Sequence, residues 1–218
     1  MSALRIVLVG EGPSDDVLRY PVGWLMERLE IDGEIIVPDT RLVSRGEDSV
    51  RSRVGAAVQL AAQGTLDAPG IDLLLIHRDA DRALPEERRS EIAAAAPVGI
   101  PHVAVVPVRE TEAWLLHDEG ALREAAGNPR GRIPLALPPL RQVEQLADAK
   151  GLLYEQLRIA SEATGRRRAD LNPVKMARRL AELITDWGPL LQLSGFRQLE
   201  LDLGAALRGS RRGRTPRA

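Results

Sequence analysis

Seven carboxylates fall in three short segments, and their placement is the first sign of chemistry. "VGEGPSDD" carries Glu11, Asp15 and Asp16, "HRDADR" carries Asp79 and Asp81, and "VPVRETEAW" carries Glu110 and Glu112. Crowded carboxylates repel one another, and desolvation penalises each charge further. A hard divalent cation relieves both costs, so Mg²⁺ or Mn²⁺ is the expected companion of such a set. On extended backbone Asp79 and Asp81, two residues apart, would point the same way and share an ion. An ion held there would orient a water and stabilise charge in phosphoryl transfer. The plainer reading is that aspartates at a strand end begin the next turn. Arg78, Arg82 and Arg109 would then be their ion-pair partners, or would grip phosphates with their forked guanidiniums. His77, beside Asp79, suits either base catalysis or a supporting hydrogen bond.

These acids need elements that bring them together, and the hydrophobic pattern supplies them. Leu4–Val9 reads as a buried strand, followed by a tight turn over Gly10–Ser14. An amphipathic helix follows, with Pro21 predicting a kink or a late start. "EIIVPD" reads as a second strand. "SVRSRVGAAVQLAAQG" reads as a helix with Gly64 as its stop. Ile71–Ile76 is apolar through most of its length, as suits a parallel strand covered on both faces. A helix over "PEERRSEIAAAA", a strand over "HVAVVPV" and a short helix in "ETEAWLLHD" complete an alternating β-α series. The expected fold is α/β, an open, mostly parallel sheet with helices on both faces. In such a sheet ligands bind beyond the C-terminal strand ends, where three of the expected strands place their acids.

Beyond about Asp118 the pattern changes to a loop rich in Gly and Pro, "NPRGRIPLALPPLRQ", and then to helices. The expected organisation is a core over residues 1–120, a helical part over 121–207 and a basic tail over 208–218. That tail, "RGSRRGRTPRA", carries five arginines and no acid. Its composition predicts disorder, and a disordered basic arm can still touch phosphates. Further cations, "GRRRAD" and Lys175, Arg178 and Arg179, are either a solvated face or the wall of a nucleic-acid channel.

Composition excludes several classes. With no cysteine, disulfides, zinc–thiolate sites and thiol nucleophiles are ruled out. Aromatic residues make up 3% of the chain, which argues against a surface that stacks several bases. Trp24, Trp114 and Trp187 are expected in the core. "EGPSD" lacks the glycine run and the Gly-Lys-Ser/Thr ending of a P-loop, and "VGEG" lacks a dinucleotide fingerprint. The start has no leader pattern, so a soluble cytoplasmic protein is expected, with no membrane partner.

The first-strand "EGPSD" and the later "DAD" together resemble the Toprim fold of topoisomerases, bacterial primases, small nucleases and OLD-family nucleases. "LLLIHRDAD", "VAVVPVRETEAWLLHD" and "DAKGLLYEQL" more narrowly resemble a Toprim-like group of unassigned function, DUF4276, sometimes found near defence genes. The resemblance runs from Ile6 to about Leu207. It implies that Glu11 acts as acid/base or metal ligand, and that Asp79 and Asp81 bind the metal. It also implies that Asp15 is the further acid of nuclease-like members, and that Glu110 and Glu112 follow the fourth strand. Lys150, like Arg109, would contact a phosphate or steady transition-state charge. Neither Tyr20 nor Tyr154 sits in a recognisable topoisomerase cleavage domain, and no primase zinc module or OLD-type ATPase domain is visible.

Two functions are therefore expected to compete. The first is a metal-dependent nuclease acting on DNA or RNA, in phage defence or DNA processing, with a larger partner such as an ATPase. The second is a non-catalytic subunit of a defence or repair complex that binds nucleic acid or protein.

Overall fold

The apolar run that begins at Ile71 becomes the centre of a sheet. A computed structural model of the protein describes residues 3–39, 49–63 and 70–213. Four parallel strands, β1 (Leu4–Val9), β2 (Gly33–Ile36), β3 (Leu73–His77) and β4 (His102–Val105), are ordered β2-β1-β3-β4. Every residue of β3 is buried. This follows from its place between β1 and β4, with Ile6 to Val9 facing Leu73 to Ile76 and Leu74 to His77 facing His102 to Val105. A strand flanked on both edges and covered by helices has no wet face, hence its unbroken Leu and Ile. The α/β class expected from the pattern is the class observed.

Helices α1 (Arg19–Arg28), α2 (Val50–Gln63) and α3 (Pro85–Ala95) flank the sheet. A 3-10 helix over Pro13–Leu18 precedes α1, so the helix proper starts late and Pro21 falls in its first turn. There its missing N–H costs nothing. Trp24 departs from expectation. It is only partly buried, and the Arg28 guanidinium lies 5.7 Å from its ring centroid. The helix stop expected at Gly64 lies outside the described residues.

The chain divides into two compact units. The first holds the sheet, α1 to α3, and the residues from Arg197 onward. The second holds residues 79–82 and Pro107–Phe196 and is helical. Its elements are a 3-10 helix over Thr111–Leu115, α4 (Glu119–Ala125), α5 (Ala149–Ala160), α6 (Gly165–Ala169) and α7 (Pro173–Leu183), with further 3-10 helices over Leu140–Gln145 and Gly188–Gln192. Helix α8 runs Ser194–Gly213, into the stretch read as a basic tail; residues 214–218 lie outside the described residues. Among the described residues no helix is long and apolar enough to cross a membrane.

The second unit has its own core, including Trp114, Leu122, Leu157, Leu180, Trp187 and Phe196. Polar capping sets its helix starts: Asp118 accepts from Ala121 N–H, Asp148 from Gly151 N–H, and Asn172 from Lys175 N–H. The Gly/Pro-rich loop before α5 is fixed by polar side chains, of which Gln156 and Arg123 are buried. Gln156 accepts the Ala136 N–H at 2.8 Å, Glu162 accepts the Ile133 N–H at 2.9 Å, and Arg123 donates to the Ile133 carbonyl at 2.9 Å.

Candidate functional site: acids at the strand ends

In the first unit, the chain leaves β1 through Gly10, and only glycine fits there. A Cβ at Gly10 would lie 2.8 Å from the Cβ of Asp15. Asp15 folds back to cap the turn it follows. Its Oδ2 accepts the Glu11 N–H at 2.6 Å and the Gly12 N–H at 2.9 Å, and lies 3.2 Å from His77 Nδ1. His77 itself is buried at the end of β3. One carboxylate thus ties the turn after β1 to the neighbouring strand, and the His77 ring holds that carboxylate from inside the sheet.

Burial works to raise the Asp15 carboxyl, but the hydrogen bond and charge of His77 and the two backbone N–H groups outweigh it. The group is held at about 2, below its ordinary 3.8. A depressed carboxyl contributes stability that is complete above its unfolded value and is lost as pH falls through the folded one. The contribution is about 2 kcal/mol. Asp15→Asn is therefore expected to lower stability by about that much at pH 6, with the gap to wild type closing between pH 4 and pH 2. Urea melts across that range check it, and a gap independent of pH would contradict the assignment.

Glu11 presents its carboxylate against two arginines. Arg78 Nε lies 2.7 Å from Oε1, and the buried Arg53 lies 3.6 Å from the same oxygen. The Arg78 contact is a charge contact and not an aligned hydrogen bond, because its Nε–H does not point at the carboxylate. Arg78 also reaches Glu91 on α3 at 3.3 Å.

In the second unit, the segments following β3 and β4 stay zipped together. Ala80 N–H donates to the Pro107 carbonyl at 3.1 Å and Asp81 N–H to the Arg109 carbonyl at 2.9 Å. Arg109 returns a side-chain hydrogen bond to the Asp81 carbonyl at 3.1 Å. Asp81 and Arg109 face each other with φ of +52° and +76°, the left-handed region that non-glycine residues pay to enter. Asp81 is thus not extended, and the period-two alternation that would aim it with Asp79 ends before it. Asp79 Oδ1 accepts both the backbone N–H of Thr111, at 2.9 Å, and its hydroxyl, at 3.1 Å. Thr111 thus holds the Asp79 Oδ1 through both of its donors.

The other expected acids of this unit gather at the start of α5. Glu110 Oε2 accepts the Lys150 N–H at 2.8 Å, and Glu112 Oε1 pairs with Lys150 Nζ at 2.9 Å. The Glu110 carboxyl is pushed up, first by burial and then by the charges of Glu112, Asp148 and Asp79, against the Lys150 N–H that lowers it. Burial alone would lower Lys150, but the hydrogen bond and charge of Glu112, helped by Tyr154 and Glu110, raise it, so the amine stays charged. Burial and the two glutamates raise the Tyr154 hydroxyl against Lys150.

The second unit thus brings together Asp79, Glu110, Glu112 and Lys150, all named from the sequence. It adds Thr111, Asp148 and Tyr154, which the sequence did not mark as site residues. Tyr154 stands four residues after Lys150, a spacing that places both on one helix face; Thr111 and Asp148 gave no comparable signal. Their hard oxygens and mutual repulsion fit a divalent cation in kind. Among the described residues, however, no three His, Asp or Glu side chains are gathered closely enough to hold one metal ion. No protein-family model matches the chain, and neither a curated protein nor a solved structure is significantly similar to it.

Proposed function

We propose that the protein hydrolyses phosphodiester bonds with a divalent metal ion, as a nuclease on DNA or RNA. The observation that carries the reading is the Asp79–Thr111 pair. A carboxylate beyond a central parallel strand has one oxygen fixed by two donors, with a further acid group and the charged Lys150 in the same unit. Asp79 and Asp81 would hold the ion, and Mg²⁺ or Mn²⁺ would supply Lewis-acid stabilisation and a more acidic bound water. The chain's own part is narrower. Thr111 orients Asp79, Glu112 holds Lys150 charged, and Lys150 offers an ammonium to the phosphoryl oxygens. In the first unit, Glu11, paired with Arg78 and Arg53, is a candidate acid/base group in its own right.

Incubating the protein with labelled single- and double-stranded DNA and RNA, in Mg²⁺, Mn²⁺ or chelator, tests the reading. The pairing of Glu11 and Glu112 with cations is also what a non-catalytic subunit without an ion would need. Copurification with a larger partner, and a melting temperature indifferent to Mg²⁺ and Mn²⁺, would favour that second reading.

Thr111 makes a graded test. Thr111→Val keeps the backbone donor and removes the hydroxyl, so turnover is expected to fall on the order of tenfold with substrate affinity unchanged. Thr111→Ser should restore most of it. Equal loss in both variants would assign Thr111 to packing alone.

A further inference from the structure

Helix α5 carries more than its packing needs. Its buried face is Ala149, Leu153, Gln156, Leu157 and Ala160. Beside that face, Lys150, Tyr154 and Arg158 follow at intervals of four, so they form one stripe about 12 Å long. The Lys150 and Arg158 side chains are 45% and 38% exposed. The stripe begins at Glu112 and Glu110 and ends near α6. Glu155 marks the junction, since it lies 3.7 Å from Arg158 and 3.6 Å from Arg168.

Helix α6 is the anomaly. Its five residues, Gly-Arg-Arg-Arg-Ala, include no buried one. Three adjacent arginines repel, and because no residue of α6 is buried, no apolar burial of its own offsets this. The ion pairs present are weak. Arg166 reaches Asp170 only at 3.9 Å with both side chains largely exposed, and such pairs contribute almost nothing. Among the described residues, Arg167 and Lys175 make no ion pair. The turn is nonetheless well defined, by backbone bonds from Arg168 to Thr164 and from Asp170 to Arg166, and by the Asn172 cap of α7 immediately after it.

We propose that Arg166, Arg167 and Arg168, continued by Arg158, Tyr154 and Lys150, form a track for single-stranded nucleic acid. The arginines would take phosphates, and Tyr154, lying between two cations, would stack a base. At about 12 Å the stripe is long enough to follow more than one phosphate of an extended strand. An anionic membrane is the poorer match, because α6 has no apolar face to insert. The inference deepens the function proposed above by naming where substrate would be held. It does not depend on cleavage and is tested without it.

Fluorescence anisotropy of a labelled twelve-nucleotide single strand, in chelator and across a salt series, measures the binding. The triple variant Arg166→Gln/Arg167→Gln/Arg168→Gln is expected to flatten the slope of log K against log salt by about 2, which is roughly hundredfold at 0.1 M salt. Tyr154→Ala should weaken binding at least about fivefold, and Tyr154→Phe should not. Arg28→Gln, in the other unit, should bind as wild type. Since no α6 residue is buried, far-ultraviolet circular dichroism should show the triple variant folded. The proposal is overturned if wild type does not bind at low salt. It is equally overturned if the triple variant keeps the wild-type slope, or if anionic vesicles compete the strand away while the strand itself shows no Tyr154 dependence. Binding without cleavage in metal would sink the nuclease reading and leave the track standing.

Discussion

Asp79→Asn combined with Asp81→Asn is expected to reduce metal-dependent phosphodiester cleavage by roughly a thousandfold or more, while the fold is retained. Lewis-acid stabilisation of a phosphoryl transition state contributes several kcal/mol, and each 1.36 kcal/mol is about tenfold in rate. Asn keeps the shape and an acceptor oxygen for Thr111 but removes the charge that would hold the ion. The two positions differ, which makes the single variants informative. Asp79 has a fixed carboxylate, with Oδ1 bound by both donors of Thr111. Asp81 sits on left-handed backbone at φ +52°, a conformation that Asn adopts as readily as Asp. Asp81→Asn should therefore leave stability unchanged and report on charge alone. Cleavage surviving in the double variant would place the chemistry elsewhere.

The largest effect on stability is expected at Trp114. Its ring is 1% exposed and meets Phe196 edge-on at 5.1 Å between centroids. Trp114→Ala should cost about 3–5 kcal/mol, from lost burial and the cavity left behind. Its indole N–H is buried with no hydrogen-bond partner, so the polar handle costs desolvation and adds no stabilising bond. Trp114→Phe should accordingly cost much less than truncation. Since Trp114 shares its 3-10 helix with Thr111 and Glu112, the Ala variant should lose site geometry before it unfolds. Urea denaturation followed by circular dichroism gives both values. A Phe variant as unstable as the Ala variant would mean that the indole N–H has a partner after all.

Much of the framework was legible because it follows from periodicity. Leu4–Val9 is the first strand residue for residue, and the unbroken apolar run near Leu73 marked the central strand by lacking a polar face. Of the two outcomes that Pro21 predicted, a kink or a late start, α1 shows the late start. The site was legible as a list of acids but not as an arrangement. Asp15 and Glu11 look alike in sequence. Only the packing of Gly10 against Asp15, and the burial of His77 beneath it, show that Asp15 is turned inward onto backbone N–H groups. Asp79 and Asp81 look like a matched pair, but the left-handed backbone at Asp81 breaks the period-two alternation on which that pairing rested. Thr111 carries no sequence signal at all, because its role comes from the zipping of two loops whose register no local pattern encodes. The loop before α5 is similar, since the clamps from Gln156, Glu162 and Arg123 come from distant positions.

The decisive measurement for metal-dependent hydrolysis is the rate of cleavage of labelled nucleic acid as a function of Mn²⁺ or Mg²⁺ concentration. Cleavage should saturate with metal, stop on adding chelator and return when metal is restored in excess. Cleavage unaffected by chelator, or no cleavage of single- or double-stranded DNA or RNA at any metal concentration, would contradict metal-dependent hydrolysis.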